Sequence, residues 1–171
     1  TQFISGTHAL TVALFGLLRP GEKFISITGK PYDTLEPVIG ITPNESSLKS
    51  FGIDFDYIDL KDGDFDYDRI RESLGENIKL IHIQRSIGYA CRSTLSIEKV
   101  SKVIDFIRKL NSEIIIFVDN CYCEFCNTLE PTDVGADVVV GSLIKNLGAG
   151  VVNNGAYVVG KEKYVDLVAE R

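Results

Sequence analysis

The sequence predicts an α/β fold, in which a mainly parallel sheet is flanked by helices and includes one late antiparallel strand. Short apolar runs, such as those ending at Val118 and Val140, alternate with segments of helical apolar period. Strands that alternate with helices pair in parallel through right-handed crossovers. Residues 151–159 are typical of two strands joined by an Asn-Gly turn, and this hairpin would supply the antiparallel strand.

Each element is predicted from a local pattern. Residues 5–18 carry one apolar helical face, which Arg19-Pro20-Gly21 ends. Ser96 is expected to cap a helix over residues 97–110, because its apolar side chains recur with helical spacing. The remaining predicted elements are strands at 23–28, 54–60, 79–84, 114–118 and 138–140 and helices at 67–74 and 162–171.

Length and charge restrict the class of protein. A chain of 171 residues with 44% hydrophobic residues can bury the core of one domain. A net charge of −6 argues against a nucleic-acid groove or an anionic membrane surface. No apolar run approaches the roughly 20 residues of a membrane span, and no signal segment opens the chain. We therefore expect a cytoplasmic protein that binds a small molecule rather than nucleic acid or membrane.

Two successive apolar runs are followed by residues that carry chemistry. Asp119 follows the strand at 114–118, and Lys145 lies in a Gly-rich turn after the next strand. Open α/β sheets bind ligands at these carboxyl ends. A lysine amine that condenses with an aldehyde, together with a carboxylate for a pyridinium nitrogen, is the pair that pyridoxal phosphate (PLP) needs. Ser5-Gly6-Thr7 opens a helix, where free backbone N–H groups bind phosphate.

Six motifs extend this pattern over nearly the whole chain. They are Ser5 to Leu10, Gly29 to Leu35, Gln84-Arg85-Ser86, Val118 to Tyr122, Glu130 to Asp137 and Gly141 to Asn146. In these motifs the chain resembles the large domain of fold type I PLP-dependent enzymes, the aspartate aminotransferase-like fold. In particular it resembles the methionine gamma-lyase family, which includes cystathionine lyases linked to aluminium resistance.

The resemblance implies four residues around the cofactor ring. Lys145 would hold PLP covalently and later act as the base, so it is the first catalytic candidate. Asp119 would pair with the pyridinium nitrogen, and Tyr122 would reach the ring hydroxyl. Tyr32 would stack on the ring and is the second catalytic candidate.

The phosphate end is predicted separately. Gly6 and Thr7 would grip the phosphate at the helix start, and Ser142 would assist them, while Ser5 is expected to cap the helix. Arg85 has two open interpretations: it offsets charge near the cofactor, or it lies on the surface after a strand.

The reaction and the assembly follow only from the resemblance. It implies carbon–sulfur bond elimination from a sulfur amino acid such as cystathionine or methionine. A transaminase is the alternative, because the residues themselves indicate only PLP amino-acid chemistry. Residues 1–171 would then be an incomplete large domain without the N-terminal arm and the C-terminal small domain. The whole enzyme would be a homodimer or homotetramer, and the isolated piece would be nearly inactive.

Departures from the family pattern leave a third interpretation open. Ile87, Ile144, Leu147 and Ala149 differ from the residues that the family carries at these places. They would alter the flexibility of the phosphate loop and the substrate contacts, but not the lysine or the aspartate, which is compatible with an inactive truncated homologue.

The cysteines suggest a metal-binding module as a fourth interpretation. Cys121, Cys123 and Cys126, with Cys91 as a possible fourth ligand, have the spacing of a zinc or iron–sulfur site. We nevertheless predict no metal, since the family has a smaller residue at 123. Strand alternation would also point Cys121 and Cys123 away from the cofactor. His82, inside a strand, is expected to be a hydrogen-bonded core residue.

Overall fold

The structure, a computed structural model, describes residues 2–75, 77–148 and 150–171. The departure from the family pattern at Ala149 lies outside the described residues. Within them, six strands form one sheet in the order β2-β1-β3-β4-β5-β6. The strands are β1 Lys23–Ser26, β2 Asp54–Tyr57, β3 Ile78–Gln84, β4 Ile115–Asp119, β5 Val138–Ser142 and β6 Ala156–Gly160. All neighbours are parallel except β5 and β6, which confirms the predicted architecture.

Helices cover both faces of this sheet. They are α1 Gly6–Leu17, α2 Glu36–Ile39, α3 Tyr67–Ser73, α4 Ile97–Leu110 and α5 Glu162–Ala169, with short 3-10 turns at Asp33–Leu35 and Lys49–Phe51. Ser5 caps α1 by accepting a hydrogen bond from the His8 N–H, as predicted. Ser96 caps α4 in the same way through Lys99. None of the described helices is both long enough and apolar enough to cross a membrane.

Alternation along the strands divides the core into two layers. Val138 and Val140 pack with α1 on one face, whereas Val139 packs with α4 on the other. The apolar stripe of α4 is buried as far as Ile107, and only its last predicted member, Leu110, is largely exposed. The sheet is therefore covered on both faces, as parallel sheets are.

The predicted hairpin over residues 151–159 is wrong. Residues 151–155 contain no strand, and only β6 forms. The backbone N–H groups of Val151 and Val152 both donate to the carbonyl of Gly148, so they close a turn instead of a ladder. The antiparallel partner of β6 is β5, which lies earlier in the chain than the predicted partner strand.

Candidate functional site

A cavity of about 320 Å³ opens where the carboxyl ends of β3, β4 and β5 meet the N-terminus of α1. Its volume falls in the range of small-molecule sites. The structure brings all the predicted site residues to its wall, namely Gly6, Thr7, Tyr32, Asp119, Tyr122, Ser142 and Lys145. The individual roles of these residues stay predictions.

The N-terminus of α1 forms one end of the cavity. The first N–H groups of a helix have no intrahelical partner and carry partial positive charge, so they attract anions. Gly6 allows the end of β5 to approach this helix closely, because an added Cβ would lie only 3.2 Å from the Cβ of Ser142. Thr7 is tied to the next loop by a hydroxyl contact of 2.8 Å with Thr34. This end of the cavity suits a phosphate.

Lys145 lies between two aromatic rings. Its backbone N–H donates to the carbonyl of Ser142 at 3.3 Å, so a tight turn follows β5. Its Nζ lies 4.2 Å from the ring centroid of Tyr122 and 6.0 Å from that of Tyr32. Tyr122 adopts a φ of 68°, a left-handed conformation that is uncommon for residues other than glycine. Such outliers are concentrated at functional sites.

Asp119 ends β4 and is almost completely buried. Its Oδ1 accepts a hydrogen bond of 3.0 Å from the backbone N–H of Cys121. A buried carboxylate next to a cavity suits a ligand atom that carries a proton and positive charge. The carboxylate as an acceptor, the amine of Lys145 as a nucleophile and the N–H groups of the helix terminus as donors are the groups that a phosphorylated pyridine aldehyde requires.

Gln84 is a site residue that the sequence argument missed. It ends β3 beside Asp119 in register, and its Oε1 accepts a hydrogen bond of 2.8 Å from the backbone N–H of Tyr32. Gln84 thereby fixes the Tyr32 loop against the sheet. The available signal was its position at the end of an apolar strand, as for Asp119.

Tyr32 stacks on another tyrosine. Its ring lies 5.3 Å from that of Tyr89 with an interplanar angle of 22°, and the two hydroxyls are 3.2 Å apart. This hydrogen bond, with burial and nearby negative charge, raises the pKa of Tyr32 to about 12. Tyr32 therefore keeps its proton at neutral pH.

The surface interpretation of Arg85 is wrong. Arg85 is 2% exposed, and its guanidinium donates to the side-chain oxygen of Asn120 at 2.6 Å and to the carbonyl of Leu95. These two acceptors hold the charge inside the domain, and Arg85 is not among the residues that line the cavity.

Cys121 also differs from expectation, because it lines the cavity instead of pointing away from it. Strand alternation does not apply to Cys121, since β4 already ends at Asp119. Burial raises the pKa of the Cys121 thiol. Cys123 is buried outside the cavity wall. Within the described ranges, no group of three or more His, Cys, Asp or Glu side chains is arranged to hold a metal ion.

His82 is a hydrogen-bonded core residue, as predicted. It is fully enclosed, and its Nδ1 lies 3.3 Å from the hydroxyl of Ser26. Burial lowers the pKa of His82 to about 4, although the charge of Asp119 opposes this shift.

The architecture is that of PLP-dependent lyases. A solved structure from Campylobacter jejuni, provisionally named O-acetylhomoserine (thiol)-lyase, contains a pyridoxyl-lysine monophosphate and superposes with a TM-score of 0.73. It is 24% identical over 97% of this chain and 37% of its own, and this likeness concerns the fold alone. The family model for methionine gamma-lyase matches residues 1–171. The chain therefore belongs to the methionine gamma-lyase family.

Three more similar proteins support this assignment. A Listeria innocua structure, provisionally named cystathionine beta-lyase involved in aluminum resistance, is 48% identical with a TM-score of 0.94, over 97% of this chain and 41% of its own. Uncharacterized protein YnbB of Bacillus subtilis is 49% identical over 99% of this chain and 41% of its own length. L-methionine gamma-lyase of Treponema denticola is 30% identical over 96% of this chain and 37% of its own length. The chain thus spans about two fifths of these relatives.

Proposed function

We propose that the chain is the PLP-binding large-domain portion of a cytoplasmic, PLP-dependent carbon–sulfur lyase acting on a sulfur amino acid of the cystathionine or methionine type. The observation that carries this proposal is the position of the Lys145 amine between Tyr122 and Tyr32, in one cavity with Asp119 and the start of α1. The names of the relatives support the carbon–sulfur lyase class.

Each residue has a distinct task in this proposal. PLP, when bound, supplies an electron sink for negative charge on the substrate α-carbon. The backbone of Gly6 and Thr7, with Ser142, would bind the phosphate. Asp119 would keep the ring nitrogen protonated, because a buried charge-assisted hydrogen bond favours the charged form. Lys145 would hold the cofactor and, once released, remove the α-proton.

The surface around the cavity supports an assembly in which other parts of the enzyme cover the site. Two of the large apolar side chains that line the cavity, Tyr122 and Ile144, are themselves exposed to solvent. Contiguous exposed apolar surface is typical of interaction sites. We therefore extend the proposal to a homodimer or homotetramer whose second copy, with further segments of its own chain, completes the site.

Reductive trapping tests the cofactor assignment. Purified full-length protein is incubated with PLP, treated with borohydride and mapped by mass spectrometry, and the modification is expected on Lys145. Lys145→Ala should abolish this adduct. Lys102→Ala is the matched control, because it removes an exposed lysine on α4 and leaves the cavity unchanged. An adduct confined to other lysines would contradict the proposal.

Product analysis tests the reaction. With a panel of sulfur amino acids, the lyase should release a keto acid and a thiol together. A keto acid without a thiol would instead indicate a transaminase. Neither product, with PLP still trapped on Lys145, would indicate an inactive homologue.

A further inference from the structure

Two cysteines, Cys123 and Cys126, lie at the two ends of one turn next to the site. The backbone N–H of Cys126 donates to the carbonyl of Cys123 at 3.4 Å, the hydrogen bond of a β-turn. A β-turn brings its outer Cα atoms within about 7 Å, and disulfides span roughly 4.4–6.8 Å between Cα atoms. Neither thiol is oxidised in the structure. The backbone geometry of this turn is therefore compatible with a bond between the two sulfurs.

The two thiols differ in accessibility. Cys126 is exposed, so an oxidant in solution can reach it. Cys123 is buried, and burial, with the nearby Cys126 thiol, raises its pKa to about 11 in spite of the charge on Arg85. An accessible thiol beside a buried one is the arrangement of an attacking and a resolving cysteine.

The other cysteines are poorly placed to compete. The Sγ of Cys121 is directed towards Gly6 on α1, where it lies 3.8 Å from the Cβ position of that glycine. The Sγ of Cys126 is directed elsewhere, because it contacts the carbonyl of Tyr122 and the amide of Asn146, each at 3.7 Å. Cys91 lies on a different exposed loop.

We propose that Cys123 and Cys126 are a reversible oxidation site, which forms an intramolecular disulfide with a peroxide as oxidant. Cys126 attacks the peroxide, whose O–O bond breaks, and becomes a sulfenic acid while one water leaves. The sulfur of Cys123 then displaces the sulfenic oxygen as a second water, so two thiols lose two electrons and two protons to hydrogen peroxide. Two small thiols reverse the step through a mixed disulfide and leave as their own disulfide.

The turn is connected to the lysine through Asn146. The amide of Asn146 donates to the carbonyl of Glu124 at 3.0 Å and to the Sγ of Cys126, and Asn146 directly follows Lys145. Forming the disulfide breaks the contacts of the Cys126 sulfur with the Asn146 amide and with the backbone carbonyl of Tyr122. The ring of the same tyrosine contacts the amine of Lys145. Oxidation should therefore disturb Lys145. The effect on Lys145 rests on the proposed function, whereas the disulfide itself does not. A thiol released by the proposed lyase reaction would reduce the disulfide again.

Peptide mapping tests the bond. Full-length protein is treated with hydrogen peroxide, its remaining thiols are alkylated under denaturing conditions, and it is digested with chymotrypsin. Cleavage after Tyr122 and Phe125 separates the three neighbouring cysteines, so a cross-linked pair of peptides identifies its two sulfurs. We expect the Cys123–Cys126 link, its loss on reduction, and its absence from Cys123→Ser and Cys126→Ser. Cys91→Ser is the matched control and should retain it.

Several outcomes would overturn the proposal: a link through Cys91 or Cys121, a link between two chains, or overoxidation of Cys126 without any link. A second measurement addresses the coupling: trapping of PLP on Lys145 with cyanoborohydride, which reduces imines and leaves disulfides intact, should fall several-fold in the oxidised protein and recover after a thiol has reduced it. Unchanged trapping would overturn the coupling. Absence of trapping in the reduced protein would contradict the proposed function, whereas the disulfide map is independent of PLP.

Discussion

At the scale of single residues, Gly141 leaves space for two polar side chains, Tyr157 and Glu124, beside the strand that precedes the Lys145 turn. A Cβ at this position would overlap the hydroxyl of Tyr157 and the carboxylate of Glu124, which are joined by a hydrogen bond of 3.0 Å. The backbone carbonyl of Glu124 accepts a hydrogen bond from the side-chain amide of Asn146, which follows Lys145. The glycine therefore leaves room for the buried Glu124 and the half-buried Tyr157 to pack against the strand that leads into this turn.

Gly141→Ala should lower the free energy of unfolding by about 1–3 kcal/mol, the usual cost of overpacking. Urea unfolding at constant pH measures it. Gly75→Ala is the matched control, because its Cβ would meet nothing within 4 Å, and a cost near zero or a small gain is expected. Equal effects of the two substitutions would contradict the packing argument.

His82 should make stability depend on pH. Its folded pKa of about 4 lies below the ordinary value of 6.5, because burial excludes the charged form. Between pH 6.5 and pH 4, His82 is therefore protonated in the unfolded chain but remains neutral in the folded chain. The stabilising contribution is complete above pH 6.5 and is lost as the pH falls towards 4, with a slope of up to about 1.4 kcal/mol per pH unit.

The measurement is the difference in unfolding free energy between the wild type and His82→Leu from pH 7 to pH 4. This difference should shift in favour of the variant as the pH falls. His8→Gln is the control, because it removes the other histidine and leaves His82 in place. A difference that does not vary with pH would exclude His82 as the source of the slope.

The sequence identified the site residues where strand ends carried a distinctive group, as at Asp119 and Lys145. The sequence did not predict the positions of side chains whose direction depends on contacts with distant segments. Cys121 was assigned by alternation, but β4 stops two residues earlier and a turn follows. Arg85 lacked any signal for burial, because its acceptors, Asn120 and Leu95, come from other segments.

At the scale of elements, α4 was predicted with its observed bounds because two independent signals coincide. The apolar stripe fixes its face, and Ser96 accepts from the Lys99 N–H at its start. Ser96→Ala should lower the free energy of unfolding by about 1 kcal/mol. Thr94→Ala, at an exposed position two residues earlier, is the control for loss of a hydroxyl, and thermal unfolding compares the two. A Ser96 effect no larger than the control would show that the cap is dispensable.

The segment 151–159 shows where a strong local signal misleads. Asn-Gly between valines favours a hairpin, yet tertiary contacts override this preference. The Leu143 N–H donates to the Gly155 carbonyl, and β6 pairs with β5. A strand partner distant in the chain cannot be inferred from a turn motif.

At the scale of the whole molecule, the alternation of strands and helices predicted a parallel sheet but not its strand order. β1 pairs with both β2 and β3, so the chain first moves to one side and then crosses to the other. Such a reversal creates a crevice at the carboxyl ends of the strands. Tyr32, which follows β1, and Gln84, which ends β3, meet there.

Because the cavity draws its residues from α1, β4 and β5, a ligand bound there should stabilise the whole sheet. At a PLP concentration one hundred times its dissociation constant, binding to the folded state alone adds about 2.7 kcal/mol. For a domain of this size that corresponds to a rise in Tm of roughly 5–10 °C. Differential scanning calorimetry with and without PLP measures the shift. Lys145→Ala should lose most of it, whereas Lys102→Ala on the exposed side of α4 should retain it. An equal rise in both variants would mean that PLP binds somewhere other than this cavity.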